Sequence, residues 1–99
     1  MQNFAYDVTM DTLLGPRVGE LLLTAEGGVC NGVLRLLCCA NPIAGSLSED
    51  GICRFSGSLL TPVRSRPFTA SGRLCGEVLE LMLQFGRMTC RLRGKRKAD

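Results

Sequence analysis

A glycine two residues before a leucine recurs along this chain. The copies are Gly19-Glu20-Leu21, Gly32-Val33-Leu34, Gly45-Ser46-Leu47, Gly57-Ser58-Leu59 and Gly72-Arg73-Leu74, with a form stretched by one residue in Gly76-Glu77-Val78-Leu79. The first four follow one another at intervals of 13, 13 and 12 residues, about one strand plus one turn. In an extended chain, residues i and i+2 share a face, so each copy puts its glycine and its leucine on the same side. A glycine inside a strand costs about 0.5–1 kcal/mol relative to alanine. Its repetition on one face of successive strands therefore needs a compensating gain. Strong coiling supplies one, because Cβ atoms on the concave side of a tightly curled sheet would collide. The repeat predicts a curled antiparallel sheet.

The rest of the chain reads the same way. Alternation of apolar and polar residues fits better than helical spacing, and Gly, Pro, Asn and Asp cut the sequence at short intervals. The predicted strands are Asn3 to Thr12, Val18 to Glu26, Val29 to Cys39, Ile43 to Ser48, Ile52 to Thr61, Phe68 to Leu74, Glu77 to Gln84 and Met88 to Lys95. Gly27-Gly28 and Glu49-Asp50-Gly51 are hairpin turns. Asn41-Pro42 is expected to end the third strand, and Thr61 to Pro67 to be the longest connection. Parity from the repeats gives an inner face of Phe4, Tyr6, Val8, Met10, Leu21, Leu23, Leu34, Leu36, Cys38, Leu47, Cys53, Phe55, Leu59, Phe68, Ala70, Leu74, Leu79, Leu81, Leu83, Cys90 and Leu92. The charges Glu20, Arg35, Arg54, Arg73, Glu77, Glu80, Arg91 and Arg93 then fall outward. The expected fold is all-β: an up-and-down meander of about eight strands, closed or nearly closed into a small barrel over residues 1–95, with 96–99 a frayed basic tail. A two-sheet sandwich is the alternative. In strand rhythm the meander resembles the small calycin-type barrels, the lipocalin and avidin relatives. That resemblance implies a ligand-holding barrel and carries over no ligand residue.

Composition narrows the chemistry. With no histidine among 99 residues, a Ser–His or Cys–His nucleophile is excluded, and Asp7 and Asp11 read as a solvated strand face rather than paired acids. An enzyme using acidic residues stays a distant third reading. Six cysteines without a Cys-x-x-Cys spacing point to reduced thiols, mostly buried, and to no metal site or cofactor. The N-terminus lacks a basic and apolar leader, and the longest apolar run, Val33 to Ala40, contains Arg35, so a cytoplasmic chain without a membrane span is expected.

Two surfaces invite a functional reading. Inside, Tyr6, Phe55 and Phe68 are the expected contacts for a small apolar or amphipathic ligand, with Arg64 and Arg66 at the rim as carboxylate or phosphate contacts. Outside, Val18, Leu22, Val29, Val33 and Leu37 break the polar pattern of the second and third strands, which suggests a homodimer interface. The net charge of +3, with ten of twelve cations being arginine, supports an alternative reading. In it, Arg35, Arg54, Arg73, Arg91 and Arg93 form a stripe that binds nucleic acid or an acidic protein. Nucleic acid is disfavoured because no aromatics are interleaved for stacking.

Overall fold

Eight strands close a barrel in the computed structural model, which describes residues 2–12, 15–36, 39–60 and 65–97. They are β1 (Gln2–Thr12), β2 (Gly15–Glu26), β3 (Val29–Leu36), β4 (Cys39–Leu47), β5 (Ile52–Leu60), β6 (Ser65–Cys75), β7 (Val78–Phe85) and β8 (Met88–Arg96). Each pairs antiparallel with the next in sequence. The sandwich alternative fails on one further ladder. β1 pairs with β8 from Tyr6↔Arg96 to Met10↔Leu92, which joins the first strand to the last. The β2–β3, β4–β5 and β6–β7 turns lie beside the start of β1 at the N-terminal end. The starts of β2, β4 and β6 and the β7–β8 turn lie at the opposite end.

Parity places the core where the repeats put it. Tyr6, Val8, Met10, Leu21, Leu23, Leu34, Leu36, Cys53, Phe55, Phe68, Ala70, Leu79, Leu81, Leu83, Cys90 and Leu92 are all buried, and Phe4, Leu47 and Leu74 pack against them. Ala25, Cys30, Ile43 and Phe85 share that face and join the same contiguous cluster. Cys38 and the side chain of Leu59 lie outside the described residues. The cluster fills the barrel with aliphatic and aromatic side chains, as eight-stranded interiors can be filled.

The inner glycines sit where a Cβ has no room. A Cβ on Gly19, Gly32, Gly45 or Gly72 would press into a backbone carbonyl of the adjacent strand: Arg35 O, Leu22 O, Arg54 O and Glu80 O respectively. Each of these glycines has at least one larger cross-strand partner: Val8 for Gly19, Leu23 and Ile43 for Gly32, Phe55 for Gly45 (with Cys30 on its other side) and Leu81 for Gly72 (with Cys53 on its other side). Each glycine therefore lets its own strand bend inward against a neighbour whose bulky side chain fills the space. Curvature and packing come from the same residue pairs.

Three expected boundaries are wrong, for one reason: β2 begins at Gly15 rather than Val18, and the other two fall in β4 and β6. Asn41 and Pro42 do not end a strand; they lie inside β4, opposite Leu34 and Val33. Arg66 and Pro67 belong to β6 rather than to a long connection, opposite Leu59 and Ser58. Proline within a sheet needs a flank where its missing N–H is not required. The staggered register provides it. β4 meets β5 only from Ile43 onward, and β6 meets β7 only from Thr69 onward. Pro16 of β2 fits the same rule, since β2 meets β3 only from Glu20. All three prolines thus stand at the opposite end, at starts of strands paired on one side.

Asn41 is the polar residue in the described core, with 0% of its surface exposed. Its side-chain amide donates to Leu34 O at 2.8 Å and Cys39 O at 3.3 Å, so the buried group is satisfied. At the tail, Arg96 closes β8, and the Lys97 N–H donates to Ala5 O at 2.9 Å. These two residues are held rather than frayed; residues 98–99 lie outside the described residues.

Candidate functional site

Tyr6, Phe55 and Phe68, expected to contact an interior ligand, all join the one core cluster, at different levels of the barrel. Tyr6 is fully buried in the N-terminal half, where its ring stacks on Phe4 at 6.5 Å and the Arg96 guanidinium stands 5.4 Å over Phe4. Phe68 belongs to the opposite end, 5.5 Å from Phe85, and Arg66 stands 5.9 Å over that second ring. Phe55 lies buried between them, opposite Gly45 and Ala70. Arg64 lies outside the described residues. Towards each end an arginine thus rests on a phenylalanine, an attraction worth about 0.5–1 kcal/mol at exposed sites. Phe85 and Arg96 lie just beyond the strands expected from the sequence; their parity with Leu83 and Gly94 is the signal that places them inside.

The interior carries its own electrostatics. Burial raises the Tyr6 hydroxyl above its ordinary pKa, and its Oη, though enclosed, has no hydrogen-bond partner among the described residues. Burial pushes the Cys53 thiol up to about 11, with the nearby Cys30 thiol adding in the same direction. Cys30 itself is raised by burial alone. These thiols stay protonated and unreactive at neutral pH. Among the described residues, no group of three His, Cys, Asp or Glu side chains is placed to hold a metal ion.

On the outer wall, register partners form rows that run across the strands. One row is apolar: Ala5 faces Leu22, Leu22 faces Val33, and Val33 faces Pro42. The next row on one side is charged, with Lys95, Asp7, Glu20 and Arg35 opposite one another in turn. Lys97 bridges it, at 2.6 Å from Glu20 and 3.5 Å from Asp7, which lowers the Glu20 pKa and raises that of Lys97. The row on the other side is polar and uncharged: Asn3, Thr24, Asn31 and Ala44. A cleft of about 440 Å³ crosses the apolar row, with Ala5, Leu22 and Val33 in its floor and Lys97 at its edge.

The five expected interface residues therefore divide. Leu22 and Val33 are direct cross-strand partners and half-buried. Val18 and Val29 are 77% and 58% exposed but stand four residues along their strands from that pair, roughly 13 Å at about 3.3 Å per residue. Glu20 separates the first and Asn31 the second. Leu37 lies outside the described residues. The arginine stripe divides too. Arg91 bonds Glu80 at 3.0 Å, Arg93 bonds Asp11 at 3.2 Å, and Arg35 and Arg73 face Glu20 and Glu80 across their ladders. Alternating signs replace the uniform positive band.

The fold and its surfaces define a small closed antiparallel meander barrel with an apolar core and some exposed apolar residues. No family model, curated protein or solved structure matches the chain.

Proposed function

We propose that this chain is a non-enzymatic, self-associating barrel whose working surface is its outer wall, and that two copies pair through the row Ala5–Leu22–Val33–Pro42. The observation that carries the reading is that row: four strands wide, uncharged, and bounded by a charged ladder on one side and a polar row on the other. An apolar patch with a polar rim is the usual anatomy of an interface. Pairing about a two-fold axis sets Leu22 and Val33 of one copy against the same residues of the other. An interior ligand, the companion reading from the sequence, has less support, because one side-chain cluster occupies the barrel.

Sedimentation velocity tests the proposal. The wild-type chain at micromolar concentration is expected to run at twice its 10.7 kDa mass, and Leu22→Glu or Val33→Glu to run as a monomer with unchanged circular dichroism. A wild-type species of 10.7 kDa at those concentrations overturns the dimer.

A further inference from the structure

Cations on the outer wall of this barrel are matched by carboxylates, with one exception. Arg35 faces Glu20, Arg73 and Arg93 face Glu80, and Lys95 faces Asp7 across their ladders, while Arg91 bonds Glu80. Arg54 of β5 instead stands between two serines, Ser46 of β4 and Ser71 of β6. The next outward residues along its own strand are Ile52 and Ser56. Diagonal to it are Ala44 and Ser48 on one side and Thr69 and Arg73 on the other. Most of these neighbours carry a hydroxyl, one is a second arginine, and none is a carboxylate. Outside this ring stand Glu80, which Arg91 already holds at 3.0 Å, and Glu49 and Asp50 in the turn before β5. Among the described residues, the side chains of Arg54, Arg73, Ser46 and Ser71 make no hydrogen bond or ion pair.

Donor chemistry sets what such a place takes. A guanidinium offers N–H groups in a planar fork and no acceptor, and the hydroxyls on either side donate as well. A carboxylate brings two oxygens and one charge. A phosphate monoester brings three terminal oxygens and nearly two charges at neutral pH, which suits a second arginine. Arg73 is placed for that, since diagonal neighbours in a sheet lie about 7–8 Å apart. The small side chains also leave room. A recess of about 430 Å³ runs beside Arg54, with Ser56, Thr69 and Ser71 in its walls and Ala44 and Gly45 opposite.

We infer that the outer wall of β4, β5 and β6 binds a phosphate monoester. The Arg54 guanidinium is the main contact, Ser46 and Ser71 donate from either side, and Arg73 supplies the second charge. The site lies on different strands from the Leu22–Val33 pair of β2 and β3, so it stands whether or not the barrel pairs laterally. Arg54 and its neighbours are exposed, and charge pairs in such places are individually weak, so the affinity expected is millimolar.

The test is a nuclear magnetic resonance titration of the nitrogen-labelled protein with glycerol phosphate, and with acetate, at constant ionic strength. Glycerol phosphate is expected to give saturating shifts at the Arg54 side-chain N–H and the amides of Ser46, Ser71 and Arg73, and acetate none that saturate. Arg54→Gln, on the exposed wall, is expected to keep the rest of the spectrum and lose the saturation. Ser46→Ala and Ser71→Ala should each weaken binding by about three- to tenfold. Arg35→Gln, which removes an arginine that faces a carboxylate, should leave it unchanged. The inference is overturned if wild type shows no saturation, if shifts spread equally to Arg35, Arg91 and Arg93, or if acetate binds as tightly. Saturation that survives Arg54→Gln overturns it as well.

Discussion

Replacing Gly72 by alanine separates two forces that act at the inner glycines. Strand propensity favours alanine by about 0.5–1 kcal/mol. Against it, the added Cβ would press on Glu80 O and come within 2.8 Å of the Leu81 Cα, both backbone atoms of β7. No side-chain rotation relieves that contact, so β6 and β7 have to separate and lose ladder bonds. Overpacking typically costs about 1–3 kcal/mol, and a clash with rigid backbone belongs at the upper end. The net expectation for Gly72→Ala is a loss of about 2–3 kcal/mol, which lowers Tm by roughly 8–24 °C for a domain of this size. Gly94→Ala is the control, because its Cβ would meet a movable group, Val8 Cγ1 at 2.9 Å. It should cost no more than about 1 kcal/mol. Urea unfolding followed by circular dichroism measures both. Gly72→Ala as stable as wild type, or restored by Leu81→Ala, would refute the backbone-clash account.

Tyr6→Phe is expected to stabilise the barrel by about 1 kcal/mol, since it removes an enclosed hydroxyl that has no partner while keeping the ring on Phe4. A urea midpoint that falls instead would mean the hydroxyl is bonded. The thiols predict an alkaline weakness. The folded Cys53 thiol keeps its proton up to about pH 11, whereas in the unfolded chain it is lost near 9.0, so between these values the unfolded state binds fewer protons. Stability then falls as pH rises through that window, by at most about 3 kcal/mol, and is intact below it. Unfolding midpoints at pH 8 and 10.5 measure the fall, and Cys53→Ala should flatten it; an unchanged slope in that variant would assign the effect elsewhere.

What the sequence carried was the face of each residue. The Gly-x-Leu parity placed Leu21, Leu34 and Leu92 inward without error, because alternation is a local property of extended chain. What it did not carry was position along the barrel, which depends on how far each ladder is offset from the next. Asn41-Pro42 and Arg66-Pro67 look like turns to any local rule. They are strand only because the stagger leaves one flank of β4 and of β6 without a partner. Local rules likewise give Tyr6 and Phe68 the same face but not their levels along the barrel, where they stack on different rings. They also join Val18 and Val29 into one patch with Leu22 and Val33.

The ladder between β1 and β8 differs from the other seven in what it asks of the folding chain. Those seven join neighbours in sequence and can form as hairpins, each closing a short loop. The Tyr6↔Arg96 pairing must close nearly the whole chain. Loop-closure entropy grows with the logarithm of length, so this seam carries the largest closure cost with a ladder that is among the shortest in the barrel. The seam should therefore form last and open first. Substitutions along it, at Val8 or Leu92, should speed unfolding more than they slow folding, leaving a curled sheet with two exposed edges as the first species on the way out.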